Sequence, residues 1–141
     1  MKSKFLPLIK LKEQKVEEVS SKIAEVNRQI TQQHEKIAGH KAEFLSQKLP
    51  EEGNIHFFAQ RQLLNVAFKQ ELNQLENRLI HLKSMERDLQ EELKNERMDL
   101  EKFSVLHQDE VQKRLKRIKK KEEEFLDEMG TVRFTNNREM S

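Results

Sequence analysis

An apolar residue recurs at every seventh position through the first third of the chain. This position is occupied by Ile9, Val16, Ile23, Ile30, Ile37 and Phe44. The position three residues later is more mixed and carries Lys12, Val19, Val26, Gln33 and His40. A strict repeat of seven is typical of a helix that supercoils with a second helix. The pattern therefore predicts a coiled coil.

The repeat stops at the segment 49–54, which is the one strong break before the C-terminus. Pro50 disfavours helical geometry at Leu49. Gly53 and Asn54 are residue types that accept turn conformations. We expect helix 1 over about 5–48, a turn over about 49–54, helix 2 over about 55–129 and a frayed tail over 130–141.

Helix 2 has a seam whose spacing alternates between three and four residues, as a heptad requires. The seam positions are Phe68, Leu72, Leu75, Leu79, Leu82, Glu86, Leu89, Leu93, Glu96, Leu100, Phe103 and His107. After His107 the apolar stripe shifts to Val111, Leu115, Ile118, Glu122 and Phe125. Three successive steps of four residues amount to a stutter, which locally unwinds a supercoil.

These patterns predict an all-α fold, namely a single domain formed by a long antiparallel two-helix coiled-coil hairpin with a longer C-terminal helix. At about 1.5 Å per residue, helix 1 is about 65 Å long and helix 2 about 110 Å. If the chain folds at residue 52, helix 1 covers helix 2 only to about residue 100. The overhang over 100–127 would leave large apolar side chains without a partner in this chain, which suggests a binding partner or self-association.

Composition argues against a compact enzyme. The 141 residues are 37% charged and 35% hydrophobic, which is too little apolar material for a globular core. There is no cysteine, the glycines are isolated, and the five histidines lack metal-ligand spacing. We therefore predict no catalytic residue, no cofactor and no metal. No apolar run approaches a membrane span, and the first residues lack the apolar block of a secretory signal. A soluble, cytoplasmic protein is expected.

A basic run occupies 113–121, where seven of nine residues are cationic, and Glu122, Glu123 and Glu124 follow it directly. One interpretation is a solvated helix face with pairs such as Lys119–Glu123 and Lys120–Glu124. A second is a docking surface for an acidic protein, and a third is contact with nucleic acid or acidic lipid. The nearly neutral chain and the lack of interleaved aromatic residues disfavour nucleic acid.

The candidate partner-binding residues combine the apolar and charged side chains of the overhang. They are Phe103, Val111, Lys113, Arg114, Leu115, Lys116, Arg117, Ile118, Lys120, Phe125, Leu126 and Asp127.

The chain resembles the FliJ family of flagellar export proteins. The resemblance is carried by Leu100-Glu101-Lys102, the charged run through Glu124, the ending Leu126-Asp127-Glu128 and the opening 5–11. It implies a non-enzymatic cytoplasmic component of the flagellar type III export apparatus, peripheral at the flagellar base. It also implies an antiparallel coiled coil similar to the central stalk of rotary ATPases. The partners that it implies are the hexameric export ATPase, the export-gate membrane protein and the export chaperones.

Two other classes remain open at this point. A prefoldin-like chaperone subunit is also a helical hairpin, but it needs β-strands between its helices. The connection from Leu49 to Ile55 has no alternating β-branched segment, which disfavours that class. A general structural coiled coil, such as a homodimeric scaffold, is the other alternative.

Overall fold

The computed structural model describes residues 3–47 and 55–140, with side chains as far as residue 131. Almost all of the described residues belong to two helices, α1, Leu6–Ser46, and α2, Ile55–Met140. They pack against each other, and the described residues contain no strand. The predicted all-α helical hairpin is therefore confirmed. The predicted turn at 49–54 lies outside the described residues.

The contacts between residues divide the chain into two units, each built from a piece of both helices. The central unit is Lys15–Glu96. The terminal unit combines Met1–Gln14 with Arg97–Ser141. Each unit is described by itself below.

The core of the central unit is the predicted seam. On α1 the buried residues of this unit are Val19, Ile23, Val26, Gln33 and Ile37. On α2 they are Leu82 and Leu93. Val19 and Leu82 are almost completely enclosed, at 0% and 1% exposure. A cluster of Val19, Ile23 and Leu93 is flanked by Val16 and Leu89. The heptad positions of both helices thus form one apolar layer.

Two polar residues within the central seam bind the backbone of the opposite helix. Gln33 is buried, and its Nε2 donates to the carbonyl oxygen of Leu75 at 2.9 Å. The half-buried His40 places Nε2 3.3 Å from the carbonyl oxygen of Phe68. A polar side chain satisfied at only one place along a seam favours one helix register over its neighbours. These two residues therefore help to align α1 with α2.

The end of α2 differs from the sequence prediction. The predicted helix stopped near residue 129 with a frayed tail, whereas α2 continues to Met140. A glycine inside a helix costs only about 1 kcal/mol relative to alanine, and no proline follows Gly130 to break the helix. The hydroxyl of Thr131 donates to the carbonyl oxygen of Asp127 at 2.8 Å, so its polar group is satisfied within the helix.

Truncation of the most enclosed apolar residue on α2 tests the seam. We expect Leu82→Ala to lower the free energy of unfolding by about 2–3 kcal/mol, because it leaves a void between the helices. The matched control is Ile80→Ala, two residues away on the exposed face at 65% exposure, which we expect to change stability by about 0.5 kcal/mol or less. Urea denaturation followed by circular dichroism measures both. Equal losses in the two variants would contradict the assigned seam.

The buried glutamine provides a second test, with the opposite sign. Gln33→Leu removes a polar group from the seam, while the Leu75 carbonyl remains within a helix. We expect the free energy of unfolding to rise by about 1 kcal/mol. Loss of the polar contact should also relax the register, broadening the nitroxide distance distribution between labels placed at exposed positions 36 and 69. A destabilised variant would show that the hydrogen bond outweighs the burial of the amide.

Candidate partner-binding surface

The start of α1 is fixed to α2 by a polar cluster in the terminal unit. Ser3 is 5% exposed, and its Oγ accepts a hydrogen bond from the backbone N–H of Phe5 at 3.2 Å. The same oxygen lies 2.9 Å from Nδ1 of His107 and 3.3 Å from Oε2 of Glu110. Because a hydroxyl carries one hydrogen, Ser3 donates to the carboxylate and accepts from the imidazole N–H. The cluster joins the first described residue to the second helix.

This cluster corrects the predicted extent of the overhang. From the sequence, α1 was expected to cover helix 2 only as far as about residue 100. In the structure, α2 side chains are half-buried as far as Arg114. The sequence prediction centred the pairing of the two helices on residue 52. Lys12 instead pairs with Asp99 at 3.1 Å, and the midpoint of these two positions in sequence lies between residues 55 and 56. In an antiparallel pair, a shift of this midpoint by one residue moves the contacted position on α2 by two residues. Residues Ser3 to Phe5, which precede α1, extend the contact further.

The predicted binding residues fall into two groups. Phe103, Val111 and Arg114 are half-buried beside the start of α1. The other nine are exposed: Lys113, Leu115, Lys116, Arg117, Ile118, Lys120, Phe125, Leu126 and Asp127. Every described side chain from Leu115 to Thr131 is exposed. The surface that α1 leaves uncovered therefore starts at residue 115, and whether it binds a partner stays a prediction.

Five large apolar side chains follow one face of this uncovered segment. The C-terminal stripe comprises Leu115 (55% exposed), Ile118 (47%), Phe125 (61%), Leu126 (66%) and Met129 (43%). Leu115, Ile118, Phe125 and Met129 continue the three-and-four spacing of the stripe through Glu122, and Leu126 is adjacent to Phe125. The sequence analysis missed Met129, although it lies at the next heptad position after Glu122. Exposed apolar residues grouped on one face are typical of interaction surfaces.

Charged side chains surround the C-terminal stripe. At its start, Lys113 pairs with Asp109 at 3.3 Å and Arg114 with Glu110 at 3.3 Å. The pairs considered further along, Lys119–Glu123 and Lys120–Glu124, are not formed among the described residues. The cations from Lys116 to Lys121 therefore project into solvent. They remain available for charges on another molecule.

A second exposed apolar surface lies in the central unit, and the sequence analysis did not single it out. This α2-start patch comprises Leu45, Ile55, Phe57, Phe58, Leu63, Leu64 and Val66. The signal for it was the density of apolar residues off the heptad seam in 55–66.

The α2-start patch adjoins a stack of rings at one end of the central seam. Phe44 stacks on Phe68 with 4.0 Å between ring centroids, and His40 stacks on Phe68 at 4.7 Å. The carboxylate of Glu71 lies 3.6 Å from Nδ1 of His40. His40, Phe44, Phe68 and Leu64 line a shallow groove, so the patch is continuous with a packed aromatic cluster.

The surface of the central unit away from the patch carries paired charges. Hydrogen bonds from Arg28, followed by one from Gln29, hold the pKa of the Glu25 carboxyl below its usual range. The Nε of Arg28 lies 3.0 Å from Oε2 of Glu25. Lys15 lies 3.7 Å from Glu92 on the other helix. Exposed pairs of this kind contribute little stability because water and salt screen them, so the apolar seam dominates.

The described residues offer neither a metal site nor a transmembrane helix. No group of three or more metal-ligating side chains occurs among them. Neither helix, over its described length, has an apolar stretch long enough to span a bilayer.

Comparison with known proteins gives one clear result. Residues 1–139 match the family model described as Flagellar FliJ protein. Searches of curated proteins and of solved structures give no significant match.

Removal of the Ser3 hydroxyl tests the polar cluster that ends the covered part of α2. Ser3→Ala leaves the Phe5 N–H without its acceptor and removes one of the two partners of the half-buried Glu110, which keeps Arg114. We expect exchange of the Phe5 and Ile9 amides, which are hydrogen-bonded to Ser3 and to the Phe5 carbonyl oxygen, to accelerate about five- to tenfold, corresponding to about 1 kcal/mol of local opening. The matched control is the exposed Ser84→Ala, which should leave these amides unchanged. Unchanged exchange in Ser3→Ala would show that the cluster does not hold the start of α1.

Proposed function

The chain belongs to the FliJ family of flagellar proteins, and from that premise we propose that it is the central stalk of the export ATPase ring and an adaptor to the export gate and chaperones. The family itself is a non-catalytic part of the flagellar protein export machinery, so a role in flagellum biogenesis and protein export follows from membership. The stalk, the adaptor and the named partners are our proposal. Its main support is the surface that α1 leaves uncovered from Leu115 to Thr131.

The C-terminal stripe and its cations support docking to the ATPase. A stalk must present side chains that a surrounding ring can grip. The segment from Leu115 offers large apolar side chains for burial, and exposed Lys116, Arg117 and Lys120 for acidic groups of the ring. Apolar anchors bordered by charge suit a protein partner, because the anchors supply affinity and the charges supply orientation and association rate.

The α2-start patch supports a separate adaptor role. Its exposed members are uncharged and include two phenylalanines, Phe57 and Phe58, whereas the C-terminal stripe lies among charges. Two surfaces of different chemistry suit two classes of partner. We assign the ATPase to the C-terminal stripe and the export gate or an export chaperone to the α2-start patch.

The place of action follows from these partners. We propose that the protein works in the cytoplasm, held peripherally at the flagellar base through its contacts with the ATPase and the gate. The lack of a candidate span within the described helices agrees with attachment through proteins. Nucleic acid has no place in this proposal.

Recovery of named partners from flagellated cells tests the proposal. Tagged wild-type chain should recover the export ATPase, the export gate and a chaperone. Reversal of three cations, Lys116, Arg117 and Lys120→Glu, should lower ATPase recovery about tenfold and leave the gate and chaperone. Replacement of three patch residues, Ile55, Phe58 and Leu63→Ser, should lower recovery of the gate and the chaperone and leave recovery of the ATPase unchanged.

The matched control reverses three exposed cations of the central unit, namely Lys36, Lys41 and Lys69→Glu. It changes net charge by the same amount as the C-terminal variant and should retain every partner. A wild-type chain that recovers neither ATPase nor gate would contradict the proposed function. Loss of the ATPase in the control would contradict its assignment to the C-terminal stripe.

A further inference from the structure

The uncovered segment of α2 changes sign abruptly along its length. Residues 113–121 carry seven cations and no anion, whereas 122–128 carry five carboxylates and no cation. The C-terminal stripe runs through both halves, from Leu115 to Met129, and all five of its apolar members are exposed. An acidic partner would complement the first half and repel the second. A helix with the same two blocks in reverse order would complement both.

We propose that this segment pairs with the same segment of a second copy of the chain, as an antiparallel two-helix contact with two-fold symmetry. An antiparallel arrangement places the basic block of each copy against the acidic block of the other. A parallel arrangement would place seven cations against seven cations, which is destabilising. The charges therefore select both the occupant and the direction of the pair.

The apolar stripe fits the same arrangement. With the symmetry axis at Glu122, Leu115 lies opposite the partner subunit's Met129, and Ile118 lies opposite the partner subunit's Leu126. The ring of Phe125 lies opposite the aliphatic stem of the partner subunit's Lys119, and Lys121 lies opposite the partner subunit's Glu123. These positions combine apolar burial along the stripe with charge pairs on its flank, as an antiparallel coiled coil requires. The same patch serves both copies, as two-fold symmetry demands.

The size of the contact determines its strength. The stripe extends about 20 Å along the helix. A contact of this length buries less than the roughly 1,600 Å² of surface that is typical of stable complexes. The pair is therefore expected to be a weak, reversible dimer. The dimer covers the surface assigned above to the ATPase, so a chain cannot bind a second copy and the ATPase through the C-terminal stripe at the same time. The pairing does not rest on the proposed function.

Sedimentation of the full chain over a concentration series tests whether the pair exists. We expect a monomer–dimer equilibrium that weakens at least about fivefold between about 0.05 M and 0.5 M sodium chloride, because salt screens the exposed charges. A monomer at every concentration up to about 1 mM would overturn the proposal. A dimer insensitive to salt would also overturn it, because charge complementarity selects the partner.

Charge reversal tests the complementarity of the two blocks. A basic-block variant carries Lys116, Arg117, Lys120 and Lys121→Glu, and an acidic-block variant carries Glu123, Glu124, Asp127 and Glu128→Lys. Each variant alone should lose at least about tenfold in self-association, and an equimolar mixture should regain association as a heterodimer. The matched control, Lys36, Lys41, Lys69 and Lys83→Glu, changes the same number of exposed charges in the central unit and should dimerise as the wild type does. Variants that dimerise as tightly as the wild type would overturn the proposal.

Nitroxide labels distinguish the direction of the pair. The chain has no cysteine, so Lys116→Cys and Glu123→Cys each provide one labelling site. These exposed positions are one heptad apart and share a helix face. In the antiparallel pair, labels at position 116 are about 15 Å further apart along the helix axis than labels at 123. Equal separations at the two sites, measured by double electron–electron resonance, would indicate a parallel pair and overturn the proposal.

Discussion

Burial of one apolar stripe from each helix is the interaction on which the rest of this structure depends. A chain with 35% hydrophobic residues cannot enclose a globular core, but two helices need only a narrow seam between them. Val19, Ile23 and Leu93 form a buried cluster of that seam in the central unit. The charged residues are left on the outer faces, where they are solvated and stabilise little by pairing.

The polar residues of the seam have a different role from the apolar ones. Apolar side chains at heptad spacing pack in several registers, since a shift of one heptad presents the same kind of residue. Gln33 donates to one particular carbonyl, and Ser3 bridges to His107 and Glu110. These contacts tie each unit to a defined alignment of its helix segments. In the terminal unit, that alignment determines that coverage by α1 stops at Arg114 and that the stripe from Leu115 is exposed.

The two exposed apolar surfaces differ in their chemistry. The C-terminal stripe combines apolar anchors with a basic and an acidic block, whereas the α2-start patch consists of five aliphatic residues and two phenylalanines. Family membership places the chain in flagellar protein export, and the proposed partners differ in the chemistry that they must present to these surfaces. A stripe that pairs with its own copy would also be shielded until a tighter partner replaces the weak dimer.

The sequence by itself determined the fold class, the two helices and the seam. Heptad spacing is a local property of the chain, so every predicted seam position from Ile9 to His107 that the structure describes is buried or half-buried. It also located the basic and acidic blocks around Leu115 and Ile118. The predicted end of α2 is eleven residues too early, because a glycine such as Gly130 costs too little by itself to end a helix. Only the tertiary structure decided where coverage of α2 ends, since the register depends on side chains distant in sequence, such as Lys12 with Asp99 and Ser3 with Glu110. The α2-start patch also depends on the tertiary structure, because the packing of the opposite helix decides which apolar side chains remain exposed.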